Sequence, residues 1–513
     1  MLDAAKQSRE RVTLLEPGKN CWRVAQATRF GLVVDGADYF AYLRKALLEA
    51  KREVLLIGWD FDFEIEMLPG ESDAEGNAPD GLPNKMGEFL EALIARTTDL
   101  RLYLLKWNGA VLVAPARILP SLAMHVWSNE RISFALDGHH PFGACHHQKI
   151  VVVDDAFAFC GGIDATENRW DTSDHSPDDP RRVRRDGTPS PPWHDVTAAM
   201  TGPVVEALAE LARTRWRRAT GETLKSPDRP AEAAWPQGLS IAAKDVDIAI
   251  SRTEPPFDGE PLVNEIEELY LAAIASARRI IYLESQYFAS ESICAALEDR
   301  LRETDGPEII VVNPDAALKE LEDRAMHVTR GRMLDRLKAA DHAGRLRMWH
   351  PVNAAGEPIY VHAKVMAIDD HLLRIGSSNL NDRSMAFDTE CDVVLEGNDA
   401  DSRETITAFR LRLLAEHLGV APQDVADAWK KAGSLIAAIE TLNAKSGRRL
   451  QPIVVLPEGP LQRFIADNKI LNPRFHHDEP VTSGRGVRPR HIAIAAGLLT
   501  VFAATVWFAR TRR

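Results

Sequence analysis

His147-Gln148-Lys149-Ile150-Val151-Val152-Val153-Asp154 recurs in the second half of the chain as His362-Ala363-Lys364-Val365-Met366-Ala367-Ile368-Asp369. Both stretches read H-x-K-x-x-x-x-D, and the four residues between Lys and Asp are apolar in each. Each continues at the same offset, with Gly161-Gly162-Ile163-Asp164 after the first and Gly376-Ser377-Ser378-Asn379 after the second. A continuous apolar run of this length fits a strand covered on both faces. The fold expected is therefore α/β: two similar halves, each a mixed sheet flanked by helices, related by a pseudo-two-fold with the active site at their interface. The repeated His and Lys also carry chemistry, because one imidazole can attack a phosphorus while the other protonates the leaving group.

The repeat extends beyond the motifs. Asp38–Phe63 and Val263–Phe288 each show apolar residues at helical spacing that give way to β-rich runs, Val54–Ile57 and Ile280–Leu283. Further strands are expected at Leu100–Leu105 and Glu308–Val312, and the two H-x-K segments themselves read as strands. Gly221–Gly238, punctuated by Pro227, Pro230 and Pro236, reads as a linker. The division expected is a first half over 1–220, a linker over 221–240, a second half over 241–420 and a C-terminal extension over 421–490. That extension is helical over Gln423–Ala444, then polar and extended or poorly ordered over Ser446–Arg490. Residues 491–509 follow as a transmembrane helix.

The case for that helix is compositional. His491–Ala509 holds no charged residue apart from His491, and its 19 residues at helical rise span roughly the ~30 Å of a bilayer core. Arg485, Arg488 and Arg490 precede it, Arg510, Arg512 and Arg513 follow, and Trp507 sits where an interfacial aromatic belongs. The expected location is a membrane, by a single-pass C-terminal anchor, with the catalytic body cytoplasmic; charge on both flanks leaves the orientation undecided. The N-terminus, Met1–Asn20, is charged and lacks the apolar core of a secretory signal. The 5 cysteines include no CxxC pair, which predicts a reducing compartment and neither a disulfide framework nor a zinc site. With a net charge of −13, no nucleic-acid partner is expected.

The two motifs resemble the HKD signatures of the phospholipase D superfamily, and the agreement continues around them. Ile359–Lys364 followed by Gly376–Met385 resembles the second-motif block of the lipid-cleaving branch. Pro192-Trp193-His194-Asp195 resembles its PWHD segment, and Ile281–Phe288 its Y-x-E-x-Q-[YF]-F segment. The resemblance covers roughly residues 30 to 415.

The residue types fit phosphodiester chemistry on physical grounds. Lys149 and Lys364 can neutralise nonbridging oxygens as point charges. Histidine titrates near neutrality, so two can be held in opposite protonation states. No metal and no cofactor are required. The sequence is symmetric between the histidines; the resemblance implies His147 as nucleophile and His362 as acid/base. Each needs a carboxylate to accept its other ring N–H, and the repeat offers Asp195, 48 residues after His147, and Glu390, 28 after His362. Asp154 and Asp369 are expected to be structural, at strand ends. Asn379 is expected to bond a phosphate oxygen. Asp164 stands at the matching first-half position, where a bare carboxylate would repel phosphate; it either points away or accepts from a Lys or His. Gly162, Ser377, Gln286 and Trp59 complete the expected substrate-binding set. His146 is expected to point away from His147 as packing. The Arg-rich insertion within Asp171–Pro192 reads equally as a loop at a headgroup plane or a solvated turn.

The leading function is a phosphodiesterase or phosphatidyltransferase acting on glycerophospholipids, with phospholipid, membrane, and water or an alcohol acceptor as partners. A cardiolipin-synthase-like transferase is the alternative. A nuclease of the same superfamily and a non-enzymatic scaffold are disfavoured by the acidic charge and by the intact His and Lys pairs.

Overall fold

The computed structural model describes residues 13–109, 130–227, 234–315 and 321–455, with the side chains of 321–327 excepted. All of them fall within one compact unit, Met1–Arg474. Among the described residues its backbone is a 16-stranded mixed sheet. The centre of the sheet is an antiparallel pair, Arg23–Val34 with Ala243–Glu254. Outward on one side lie Val196–Thr201, Phe157–Gly161, Ile150–Val153 and Glu53–Gly58, all antiparallel, then Arg101–Trp107 and Ile132–Asp137, both parallel. On the other side Glu390–Glu396, Leu372–Gly376, Val365–Ile368, Ile280–Glu284, Glu308–Val312 and Leu346–Val352 repeat that order and those directions. The two half-sheets are thus one sheet, joined edge to edge by strands that the motif pattern does not reveal.

Residues of the motif strands are buried throughout, as their unbroken apolar runs require. Each strand ends on its motif aspartate in a left-handed turn, φ +54° at Asp154 and +49° at Asp369. The turn aims the carboxylate at the start of the neighbouring antiparallel strand. Asp154 accepts from the backbone N–H groups of Lys51, Arg52 and Glu53 at 2.8 Å each. Asp369 does the same for Arg278, Arg279 and Ile280 at 2.7–2.8 Å. Each aspartate therefore ties a motif strand to the helix–strand junction of its own half, where Gly36–Leu48 leads into Glu53–Gly58 and Glu265–Ser276 into Ile280–Glu284.

The region expected to be helical over Gln423–Ala444 is two helices, Pro422–Ala432 and Leu435–Leu442, broken at Gly433, whose φ is +71°. Beyond them Arg449–Pro452 is a strand, added antiparallel to the edge strand Leu346–Val352.

The expectation of a C-terminal transmembrane helix, and with it of a single-pass membrane anchor and of the membrane as a partner through that helix, is corrected. Among the described residues no helix is long and apolar enough to cross a membrane. The long helices carry charge along their length: Pro203–Thr220 holds Glu206, Glu210, Arg213, Arg215, Arg217 and Arg218, and Ala400–Leu418 holds Asp401, Arg403, Glu404, Arg410, Arg412 and Glu416. Residues 491–509 themselves lie outside the described residues.

Replacing Asp154 by Ala strands three backbone donors. We expect it to lower the unfolding free energy by about 2–3 kcal/mol, read as a shift of the urea midpoint. An unchanged midpoint would contradict the strand-tying role.

Candidate active site

The motif histidines precede their strands. The chain from His147 to Lys149 is extended but outside the sheet, and the strand begins at Ile150; His362–Lys364 likewise lead into Val365. This differs from the expectation that the H-x-K segments are strands. The reason is that each histidine bonds to the opposite half, and the neighbouring strand is joined only at the lysine, whose carbonyl accepts from Gly161 at 3.4 Å or from Gly376 at 3.3 Å. The His147 N–H donates to the Thr389 carbonyl at 2.9 Å, and the His362 N–H to the His194 carbonyl at 2.8 Å.

The same crossing governs the side chains. His147 Nδ1 lies 2.9 Å from Glu390 Oε2, and His362 Nδ1 lies 2.6 Å from Asp195 Oδ2. Each imidazole is thus partnered by the carboxylate of the other half, where the repeat suggested the carboxylate of its own. With Nδ1–H donated, Nε2 of each ring is left for the cavity that both rings line. That cavity, about 260 Å³, is also lined by Trp59, Trp107, Asp164, Arg169, Trp193, Gln286, Tyr287, Tyr360, Asn379, Arg383 and Asp388.

The two lysines lie buried beneath it. Lys149 Nζ is 3.1 Å from Asp164 Oδ2 and donates to the His147 carbonyl at 3.0 Å. Lys364 Nζ donates to the His362 carbonyl. Asp164 therefore accepts from a lysine, and also from the Trp59 N–H at 3.0 Å. Asn379 lines the cavity, and its Oδ1 is buried with no hydrogen-bond partner among the described residues. Trp59 stacks on Trp107 at 5.7 Å, and Gln286 donates to the Tyr360 hydroxyl at 2.9 Å.

Two expected substrate-binding positions sit elsewhere. Gly162 lies behind the cavity: a Cβ there would stand 2.2 Å from Asp195 Oδ1, so the glycine makes room for the carboxylate that holds His362. Ser377 donates to Glu390 Oε2 at 2.5 Å, and Ser384 to Oε1 at 2.7 Å, so both steady the carboxylate that holds His147. His146 is buried against Thr389 Oγ1 at 2.9 Å.

Burial sets the charge states. It pushes His147 well below the usual imidazole range, with Lys149 and Lys364 acting in the same sense. It does the same to His362, aided by Lys364 and Arg169. Burial also lowers Lys364 to about 7, against the pull of Asp195, and raises Glu390 to about 8, against the hydrogen bonds of Ser377 and Ser384. Burial thus favours the neutral form of both imidazoles. An entering phosphate anion favours a proton on one of them and on Lys364.

Sequence reasoning missed Arg169, Trp107, Tyr287 and Tyr360. It also missed a buried charge network directly behind His362. His194 bonds Asp35 at 3.0 Å and Glu284 at 2.9 Å; His175 bonds Asp171 at 2.9 Å and Glu416 at 3.3 Å; His417 bonds Glu284 at 2.9 Å. Asp35, His175, His194 and Glu416 cluster closely enough to hold an ion, as do His194, Glu284 and His417. Their donor atoms are already engaged with one another, which makes the cluster an ion-pair network. It ties segments of both halves to the strand Trp193–His194.

The network gives a pH signature. Burial would lower His175, but Asp35 and the bonds to Asp171 and Glu416 outweigh it and raise it to about 9 from 6.5. Burial would raise Glu284, but His194 and His417 hold it at about 2, below 4.5. The His175 contribution is complete below pH 6.5 and is lost as pH rises through 9. The Glu284 contribution is present above pH 4.5 and is lost as pH falls through 2. We expect Tm to be highest between these windows and to fall toward pH 9, with the alkaline slope reduced in His175→Gln; an equal slope in both proteins would refute the assignment.

Two family models match the chain: one described as "Phospholipase D" over residues 137–305, and one described as "Cardiolipin synthase, PLD-like domain" over residues 270–410. Phospholipase D A of Dictyostelium discoideum is 23% identical over 476 residues, covering 76% of this chain and 36% of that protein. Phospholipase D alpha 1 of Vigna unguiculata is 22% identical over 515 residues, covering 73% of this chain and 63% of that protein. The chain therefore spans between about a third and just under two thirds of the length of these curated relatives. The crystal structure of a phosphatidylserine synthase from Haemophilus influenzae superposes with a TM-score of 0.54 at 9% identity, over 88% of this chain and 96% of that one, and so shares the fold.

Proposed function

From the premise that this chain belongs to the phospholipase D superfamily, we propose that it cleaves the headgroup phosphodiester of glycerophospholipids through a covalent phosphohistidine. The observation that carries the reading is the crossed pair of imidazole–carboxylate contacts at one cavity, with a lysine beneath each imidazole. The first step makes one bond and breaks one. The Nε2 lone pair of His147 attacks phosphorus, the bond from phosphorus to the headgroup oxygen breaks, and His362 gives its proton to the departing alkoxide. Lys149, Lys364 and Asn379 bind the nonbridging oxygens while charge accumulates on them. In the second step His362, now neutral, takes a proton from water; the resulting oxygen attacks phosphorus and the N–P bond breaks, releasing phosphatidic acid and free His147.

Glu390 and Asp195 act by orientation. Each fixes a ring and the proton on Nδ1, so that Nε2 of His147 presents a lone pair and Nε2 of His362 can carry the mobile proton.

A second acceptor is favoured by a specific observation: the match of the second half to a model described by cardiolipin synthase. An alcohol that enters in place of water turns the same intermediate into a phosphatidyltransferase product.

His147→Ala and His362→Ala are each expected to reduce headgroup release from phospholipid by at least about a thousandfold, measured as free alcohol by mass spectrometry. Full activity in either variant would rule out the two-histidine mechanism. Added glycerol is expected to divert part of the product from phosphatidic acid to phosphatidylglycerol if an alcohol competes with water.

A further inference from the structure

Arg169 stands 22 residues after His147, and Ser384 stands 22 after His362. The repeat therefore places a guanidinium in the first half where the second half has a hydroxyl. Both side chains line the cavity, but they do different things. Ser384 is committed to Glu390, at 2.7 Å. Arg169 carries its guanidinium over the ring of Trp193, 4.3 Å from the centroid. Trp193 in turn stacks on Tyr360 at 4.8 Å and lies 5.1 Å from the His362 ring. The charge of Arg169 is thus delivered to the His362 side of the cavity; it bears on His362, Lys364 and Asp195, and is absent from the leading influences on His147.

Two physical consequences follow. The first is like charge. Arg169 puts its positive charge on the His362 side of the cavity, so a headgroup that bears its own cation meets repulsion there, in a buried setting where charges are poorly screened. The second is the aromatic wall. Trp193, Tyr360, Tyr287, Trp59 and Trp107 would otherwise suit a quaternary ammonium group, but the Trp193 ring is already engaged by a cation.

We propose that Arg169 sets the headgroup preference of this pocket, admitting uncharged hydroxylated headgroups such as glycerol and disfavouring quaternary ammonium headgroups such as choline. The proposal rests on the phospholipid reading above, in which His362 serves the departing headgroup and therefore shares its side of the cavity with Arg169.

The test compares headgroup release from short-chain, monomeric phosphatidylglycerol and phosphatidylcholine, which removes any effect of membrane surface charge. The wild-type protein is expected to favour phosphatidylglycerol in kcat/KM by about tenfold or more, and Arg169→Gln to reduce that ratio by about tenfold, through gain on phosphatidylcholine relative to phosphatidylglycerol. Arg169→Lys, which keeps the charge, is expected to retain the preference. Equal use of both lipids or a preference for phosphatidylcholine by the wild-type protein overturns the proposal, and decides it even if the glutamine variant does not fold. So does a glutamine variant that loses the same factor on both lipids. Failure of the wild-type protein to release headgroup from either lipid overturns the phospholipid reading, and the proposal with it.

Discussion

The site depends on one arrangement: each motif imidazole is held by a carboxylate that the other half supplies. His147 is oriented by Glu390 and His362 by Asp195, and the backbones cross in the same sense, His147 to Thr389 and His362 to His194. Neither half orients its own motif imidazole. The cavity therefore exists only when the halves are in register, and much of the surrounding structure serves that register. The strand pair Arg23–Val34 and Ala243–Glu254 fuses the sheets, and the charge network around His194 fastens the segment that carries Asp195.

Burial does most of the electrostatic tuning. It makes charged forms expensive for both imidazoles, for Lys364 and for Glu390. Their uncharged forms are therefore favoured, and an entering anion supplies a field that favours protonation of the imidazoles and of Lys364. The serines at 377 and 384 and the glycine at 162 belong to this tuning, since they shape the surroundings of the two orienting carboxylates.

The His and Lys pairs that meet at the cavity were legible in the sequence because phosphodiester chemistry favours particular residue types and the repeat displays them twice at one spacing. The helix–strand junctions beside Asp154 and Asp369 were legible through periodicity. The crossed carboxylates were not, since each contact spans a large sequence separation, 243 residues for His147–Glu390 and 167 for His362–Asp195. Internal repetition points to the partner at equal depth in the same half, and geometry chose the other. Nor was the continuity of the sheet legible. Arg23–Val34 is exposed over much of its first half and buried over its second, so it shows neither clean alternation nor an unbroken apolar run. Arg169 and Tyr360 reach the cavity by ring stacking, which leaves no periodic trace. The apolar run at 491–509 lies outside the described residues, and no described helix supplies the membrane span expected from it.

The strand order that reads alike in both directions from the central antiparallel pair has a further meaning. An edge strand pairing with its own counterpart about a two-fold axis is the geometry of an isologous contact between identical subunits. In such a dimer every substitution appears twice, so both sides of the cavity are bound to change together. With both halves in one polypeptide that constraint is lifted. Asp164 can face Lys149 while Asn379 faces the cavity, and an arginine can stand at 169 while a serine stands at 384. A symmetric frame can then hold a substrate whose two ends are chemically unlike.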